Sequence, residues 1–265
     1  MKNSEIVESN DQYISMWKVL AGDRAGADLS ATAGLSMCWA DNPFPFWNAL
    51  FLTEQISDPE RLSARLRTAS AYMRSKRHGG LTYVCEDYLS GAAQDNIDAI
   101  VADAGLEFAL NVTGMVGDVL PFNTVTSHPS LQFARASDEE ALQLYADINS
   151  EGYGFPLEAG RAGLEGSTFW KKIAFSYIGY ENGRAVSTAA AIVNDGQLYL
   201  ALVATRPDAQ RKGYGESTVR HALHAAYEAT GLKRSSLHAT DAGFPVYQRV
   251  GYHYATRFKT YKPAQ

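Results

Sequence analysis

Cysteine is nearly absent from this chain: 265 residues hold two, Cys38 and Cys85. Two cysteines cannot build a disulfide framework or a structural zinc site, and both sit in apolar stretches, so they read as core residues. Long apolar runs are missing as well. The longest, Leu198 to Ala204, falls far short of the roughly 20 residues that cross a bilayer. A membrane-spanning helix is therefore excluded. The opening segment MKNSEIVESNDQ has no apolar stretch behind its lysine and lacks the build of a secretory signal, so a cytoplasmic protein with no membrane partner is expected. Excess positive charge is lacking too, with 24 Lys+Arg against 29 Asp+Glu and a net charge of −5. That balance disfavours a sequence-blind grip on nucleic acid or anionic lipid. What is present is 46% hydrophobic and 20% charged residues, enough apolar material for a large core and too little charge for a disordered chain.

The length suits one large domain or two small ones. Charge divides unevenly, because residues 1–130 carry −7 and residues 131–265 carry +2. Between these halves Pro121-Phe-Asn-Thr-Val-Thr-Ser-His-Pro129 has two prolines and little periodicity, and it reads as a linker. In the first half the spacing of Leu62, Leu66, Ala69 and Met73 predicts a helix over 59–77, followed by a strand at 81–85, a helix at 94–104 and a strand at 107–112. The second half reads as a strand at 131–136 and a helix toward Asn149 opened by the Ser137-Asp-Glu-Glu140 capping box. A glycine-rich loop, Glu151 to Pro156, follows. Three strands at 173–180, 185–193 and 197–205 are joined by Asn182-Gly183 and Asp195-Gly196 hairpin turns. A helix at 214–230, a strand at 235–240, a short helix near 245–250 and a strand at 252–261 end the chain.

The informative segment is Leu198-Tyr-Leu-Ala-Leu-Val-Ala-Thr-Arg-Pro-Asp-Ala-Gln-Arg-Lys-Gly-Tyr-Gly215, an apolar strand, a polar turn and glycines opening a helix. Converging main-chain N–H groups and the helix N-terminus make an anion cradle suited to phosphate. It is not the dinucleotide fingerprint, because Thr218 stands where a third glycine belongs, and no Gly-Lys-Ser/Thr makes it a P-loop. The pattern Pro207-x-x-Gln210-x-x-Gly213-x-Gly215 after a strand resembles the acyl-CoA-binding motif of the GCN5-related N-acetyltransferases, the GNAT superfamily. A second signature lies downstream. The strand at 235–240 followed by Val246-Tyr247-Gln-Arg-Val-Gly251-Tyr252 is similar to the family's Leu-Tyr-x-x-x-Gly-Phe, and the order of elements from Leu131 onward also matches.

The resemblance implies an α/β (α+β) fold with a mixed, mainly antiparallel sheet flanked by helices, in a tandem arrangement. Residues 131–265 would be the catalytic domain, and 1–130 a degenerate copy without the Gln-x-x-Gly-x-Gly turn. It implies that main-chain groups of Arg211, Lys212, Gly213, Tyr214 and Gly215 hold the pyrophosphate of acetyl-CoA, with Gln210 shaping the turn. Val203, Ala204 and Thr205 would pair with the pantetheine arm. Tyr247 corresponds to the general acid that protonates the CoA thiolate. Tyr199 stands where some members carry a glutamate base, so the amine proton must leave through water or another group; Glu151 is the first candidate, with Tyr153 and Glu165 beside it.

Other features carry less. His221 and His224 lie three apart on one helix with no third ligand spaced to help, and no metal is expected. The Pro43-Phe-Pro-Phe-Trp47 cluster either packs an interface between domains or lines an acceptor pocket. The expected reaction is acetyl transfer from acetyl-CoA to the primary amine of a small-molecule acceptor, by a monomer or homodimer. A non-catalytic acyl-CoA-binding regulatory module is the main alternative. An aminoacyl-tRNA-dependent transferase is disfavoured by the intact turn and the acidic first half.

Overall fold

The computed structural model describes residues 2–122 and 128–264. Most of the expected linker, 123–127, lies outside the described residues. The chain forms two compact units: Met1–Gly114 with Ala239–Ala242 and Tyr254–Gln265, and Met115–His238 with Gly243–His253. This division falls inside one strand and not at 130, and the C-terminal strand returns to the first unit. A boundary drawn along the chain has no means of anticipating that return, because the strand's partner lies far upstream.

The first unit contains α1 (Lys2–Gly22), β1 (Ala31–Thr32), β2 (Leu35–Trp39), β3 (Asn48–Leu52), α2 (Pro59–Arg74), β4 (Leu81–Cys85), α3 (Gly91–Asp95), α4 (Ile97–Asp103) and the first part of β5 (Leu106–Asp118). The helix expected over 94–104 is in fact two, parted at Asn96. Every residue of β2 and β3 is buried because the sheet is covered on both sides. Leu35, Met37 and Trp39 join Leu62 and Leu66 of α2 in one core, while Cys38 between them turns its thiol to the Ile14 carbonyl of α1. β2 and β3 are antiparallel, β3 and β4 are parallel across the α2 crossover, and the C-terminal strand pairs antiparallel with β4.

The second unit contains β6 (Leu131–Arg135), α5 (Glu139–Tyr153), α6 (Leu157–Leu164), β7 (Phe175–Glu181), β8 (Arg184–Asn194), β9 (Gln197–Thr205), α7 (Tyr214–Thr230), β10 (Arg234–Ala239) and α8 (Phe244–Val250); β11 (His253–Pro263) is the strand that returns. Strands β6 to β9 form an antiparallel meander, and β10 lies parallel to β9. Adjacent residues of β8 show which helix covers which face, since side chains alternate along a strand. Ser187 Oγ meets Thr218 Oγ1 of α7 at 2.7 Å, and Thr188 Oγ1 accepts from Asn149 Nδ2 of α5 at 3.0 Å. The two helices thus cover opposite faces.

Glu151-Gly-Tyr is not a loop. It is the last turn of α5, which ends at Gly154 in the left-handed conformation. Gly152 is there for close approach, because a Cβ at that position would lie 3.0 Å from the Cβ of Ala204 on β9. The strand expected from 173 starts at Phe175, since 169–173 form a π-helical turn.

Candidate active site

The site is built at the exit of β9. After Thr205 the chain makes a single 3₁₀ turn at Pro207–Ala209, Arg211 adopts a φ of +63°, and Gly213 caps α7 with a φ of +82° and no side-chain cap. Only glycine takes that last conformation without strain. The turn is pinned from inside, with Gln210 Nε2 donating to the Thr205 carbonyl at 3.3 Å. Arg211, Lys212 and Gly213 are exposed, and Lys212 Nζ lies 5.8 Å from the centre of the Tyr214 ring. Tyr214 is buried beneath them, its hydroxyl bonded to Glu181 and its ring met edge-on by His128. A 17-residue helix thus presents its N-terminus, flanked by two cations, with its first N–H groups uncapped. This is the electrostatic arrangement that receives phosphate.

One turn upstream β9 is bulged. Its register against β8 shifts between Thr188 and Ala190, and Leu202 has a φ of +46°. Three α5 residues at i, i+4 and i+8 hold the bulge. Tyr145 Oη donates to the Leu202 carbonyl at 2.9 Å, which also accepts Thr188 Oγ1 at 3.3 Å. Asn149 holds Thr188, and Tyr153 Oη donates to the Val203 carbonyl at 2.9 Å. Pairing of β9 with β10 runs through Leu200↔Leu237, while β9 itself continues to Thr205. Val203, Ala204 and Thr205 therefore lie beyond the stretch paired with β10, with α5 holding the Val203 carbonyl and Gln210 the Thr205 carbonyl. Gly215 brings α7 close to the same end, since a Cβ there would sit 2.9 Å from Thr205 Oγ1.

Tyr247 is buried on α8, and its carbonyl accepts the Tyr252 N–H at 3.0 Å. Burial pushes its phenol well above the ordinary value, and the neighbouring Tyr153 and Tyr252 add to the effect. Burial likewise raises Tyr153 to about 12. At neutral pH these groups hold protons and act as donors. α8 is tied to the start of α7 through Glu216, which accepts from Arg249 Nε at 2.8 Å and from Arg220 Nη2 at 3.0 Å.

The remaining sequence candidates have other occupations. Both Glu151 oxygens accept from one nitrogen of the Arg206 guanidinium, whose Nε donates to the Ala185 carbonyl at 2.9 Å. That pair anchors the start of the turn and occupies the carboxylate. Glu165 is exposed at the end of α6. Tyr199 is buried with its Oη 2.7 Å from His238 Nδ1. His221 stacks on the Phe133 ring and meets the Tyr177 ring edge-on. Within the first unit Phe44 and Trp47 are buried, and Trp17 Nε1 donates to the Phe46 carbonyl at 2.7 Å. The sequence alone does not mark Tyr145, Thr188, Arg206 or His238 as site residues. The Tyr145-Asn149-Tyr153 spacing on one helix face was the available signal.

The bulged strand and the uncapped glycine turn both lie in a stretch that matches a known family. Residues 140–252 match the model of the Acetyltransferase (GNAT) family. That stretch is a GNAT acetyltransferase domain, and the match supports an acyltransferase. Among solved structures it is similar to a GCN5-related N-acetyltransferase of Kribbella flavida, with a TM-score of 0.70 and 15% identity over 97% of this chain and 96% of that one. It is also similar to a GCN5-related N-acetyltransferase of Sphaerobacter thermophilus, with a TM-score of 0.62 and 10% identity over 86% and 75%. A third is a GCN5-related N-acetyltransferase-like protein of Streptococcus suis, with a TM-score of 0.53 and 13% identity over 99% of both chains. At these identities the likeness is one of fold. No curated protein matches the sequence. Among the described residues no helix is long and apolar enough to cross a membrane.

Proposed function

We propose that the protein transfers an acetyl group from acetyl-CoA to the primary amine of a small molecule, by direct attack of the amine on the thioester. The observation that carries this reading is the exit of β9, where a bulged strand outruns its parallel neighbour and leads into a helix start with no side-chain cap beside two exposed cations. The donor set fits a pyrophosphate. Main-chain N–H groups of Arg211 to Gly215 supply several donors around one point, and the helix end adds about half a positive charge. Val203, Ala204 and Thr205 offer main-chain groups to the amides of the pantetheine arm. Tyr247 keeps its proton until the thiolate forms and then shares it. In this reading Glu151 fixes the turn through Arg206 and leaves the amine proton to another group.

The same reading makes the first unit a degenerate copy of the second. Its β2-β3-α2-β4 order repeats β8-β9-α7-β10, each an antiparallel pair followed by a crossover helix and a parallel strand. Calorimetric titration with acetyl-CoA, followed by steady-state assays over a panel of amines, tests the proposal. One site per chain and turnover on a small amine are expected. Binding without turnover on any amine would make the protein a regulatory module, and two equivalent sites would overturn the account of the first unit.

A further inference from the structure

Tyr199 and His238 form a polar pair that the transfer reading leaves unused. Tyr199 sits on β9 in register with Ser236 of β10, and His238 is the first residue beyond the last paired position, Leu200↔Leu237. The pair therefore stands where the two strands part. Tyr199 is registered against Ile192, which shares with Thr188 and Ala190 the face of β8 that α5 covers. Tyr145 and Tyr153 reach the bulge from that same helix. The Tyr199 hydroxyl lies 2.7 Å from His238 Nδ1, and the two rings are nearly parallel, with centroids 5.8 Å apart. Tyr199 is 1% exposed, which makes it a fixed anchor, whereas His238 is only part-buried.

Resting on the acetyl-transfer reading, we propose that His238, oriented by Tyr199, accepts the proton that leaves the attacking amine. An imidazole has two distinct nitrogens, and the hydrogen bond at one decides the role of the other. When Nδ1–H donates to the Tyr199 oxygen, Nε2 is the accepting atom. Burial holds the imidazole well below its ordinary pKa, so the neutral, accepting form prevails at pH 7.

The step balances without further reagents. The amine lone pair forms the N–C bond as the carbonyl π pair moves to oxygen, and the N–H proton passes to His238. The oxyanion pair then re-forms the carbonyl as the C–S bond breaks, the sulfur takes a proton from Tyr247, and solvent carries the His238 proton back to the phenolate. Tyr199 is a positioning residue in this scheme, and His238 is the group that meets the substrate. A weakly basic imidazole deprotonates an alkylammonium poorly, so acceptors that reach the site as neutral amines of low basicity are the substrate class it suits.

The test compares His238→Ala, His238→Gln and Tyr199→Phe with the wild type, using acetyl-CoA and a series of primary amines of graded basicity. His238→Gln retains a hydrogen-bonding partner for Tyr199 and guards against a folding defect. Both His238 variants should lose about 10²- to 10⁴-fold in kcat while acetyl-CoA affinity stays within twofold. Added imidazole should restore part of the rate of His238→Ala above the uncatalysed blank. Tyr199→Phe should lower kcat about tenfold without moving the KM of the amine. A wild type that turns over while both His238 variants run within twofold of it overturns the relay and leaves acetyl transfer standing. So does a loss that imidazole cannot rescue and that tracks a fall in acetyl-CoA affinity. A wild type that binds acetyl-CoA and acetylates no amine overturns the transfer reading, and the relay with it.

Discussion

Tyr145→Phe isolates the bond that shapes the bulge. The substitution removes one buried hydroxyl and nothing else, so the ring still fills its place in the core. Of its two side-chain partners the Leu202 carbonyl then keeps the Thr188 hydroxyl at 3.3 Å, long beside the usual O–H···O distance of about 2.7–2.8 Å. A fully orphaned buried acceptor costs about 1–3 kcal/mol, and an ordinary hydrogen bond contributes about 1 kcal/mol. With the weaker side-chain bond still in place, the expected loss is about 1–1.5 kcal/mol. At roughly 2–4 °C per kcal/mol for a chain of this size, Tm should fall about 2–6 °C. A second effect follows from the backbone. Leu202 at a φ of +46° holds strain of order 1–3 kcal/mol, and the Tyr145 bond is one of the restraints that keep it there. Freed of that restraint the bulge relaxes, Val203 to Thr205 shift, and acetyl-CoA affinity should weaken about 5- to 10-fold. Thermal unfolding followed by circular dichroism measures the first effect and calorimetry the second. A variant with lowered Tm but affinity within twofold of the parent would sever the bulge from the cofactor, and an unchanged Tm would refute the accounting itself.

Three other outcomes are expected. Gly213→Val places a branched residue at a φ of +82°, at a cost of about 1–2 kcal/mol or more, and fills the cradle; acetyl-CoA binding should vanish, and full affinity in a folded variant would sink the turn assignment. Tyr247→Phe should keep acetyl-CoA affinity while kcat drops about 10²- to 10⁴-fold, whereas a rate within twofold of the parent would make Tyr247 a packing residue. In the first unit the Asp28 carboxyl is held below its ordinary value chiefly by the Ser30 hydroxyl, then by the Ser30 N–H, Tyr72 and Lys76. Its folded pKa lies below the unfolded one, so its contribution is complete above about pH 4 and disappears as pH falls through the lowered value. Asp28→Asn should therefore reduce the urea midpoint at pH 7 by an amount equal to about 0.5–1 kcal/mol and leave it unmoved at pH 2; equal losses at both would discard the linkage.

The second unit was the more legible because its signals are local. Asn182-Gly183 and Asp195-Gly196 take positive φ at all four residues, so two hairpins could be placed from dipeptides alone. Gly213 and Gly231 bracket α7 in the same way. Legibility failed where a residue type served two purposes. Glycines at 152 and 154 read as loop, yet the first permits helix-to-strand contact and only the second ends the helix. In the first unit α1 carries its buried face as Tyr13, Met16 and Leu20 with Ser9 and Asn10 among them, and that polar dilution hid the period. β2 and β3 are buried on both faces, so they show no alternation to read. Of the site, the turn was legible as a motif. The bulge was not, because its cause is a tertiary set of hydrogen bonds from α5, and neither was His238, whose meaning comes from a neighbouring strand.

The two units apply one electrostatic device in opposite ways. Helices α2 and α7 each follow a buried strand in an antiparallel pair and precede a parallel one, so each presents a partly positive N-terminus at the strand's exit. At α2 the chain satisfies that terminus itself. Asp58 accepts the Glu60 N–H at 3.0 Å, Pro59 removes one donor outright, and Glu60 adds a second negative charge in the first turn. An incoming phosphate there would meet carboxylates and a shortage of N–H groups. At α7 the cap is a glycine without a side chain, Arg211 and Lys212 precede it, and Glu216 is drawn away by Arg220 and Arg249. A helix start capped by its own carboxylate stabilises the fold by about 1 kcal/mol; one left uncapped forgoes that and keeps its donors for an external anion. The difference between Asp58-Pro59 and Gly213-Tyr214 is therefore sufficient, on physical grounds, to give the proposed tandem a single acyl-CoA site.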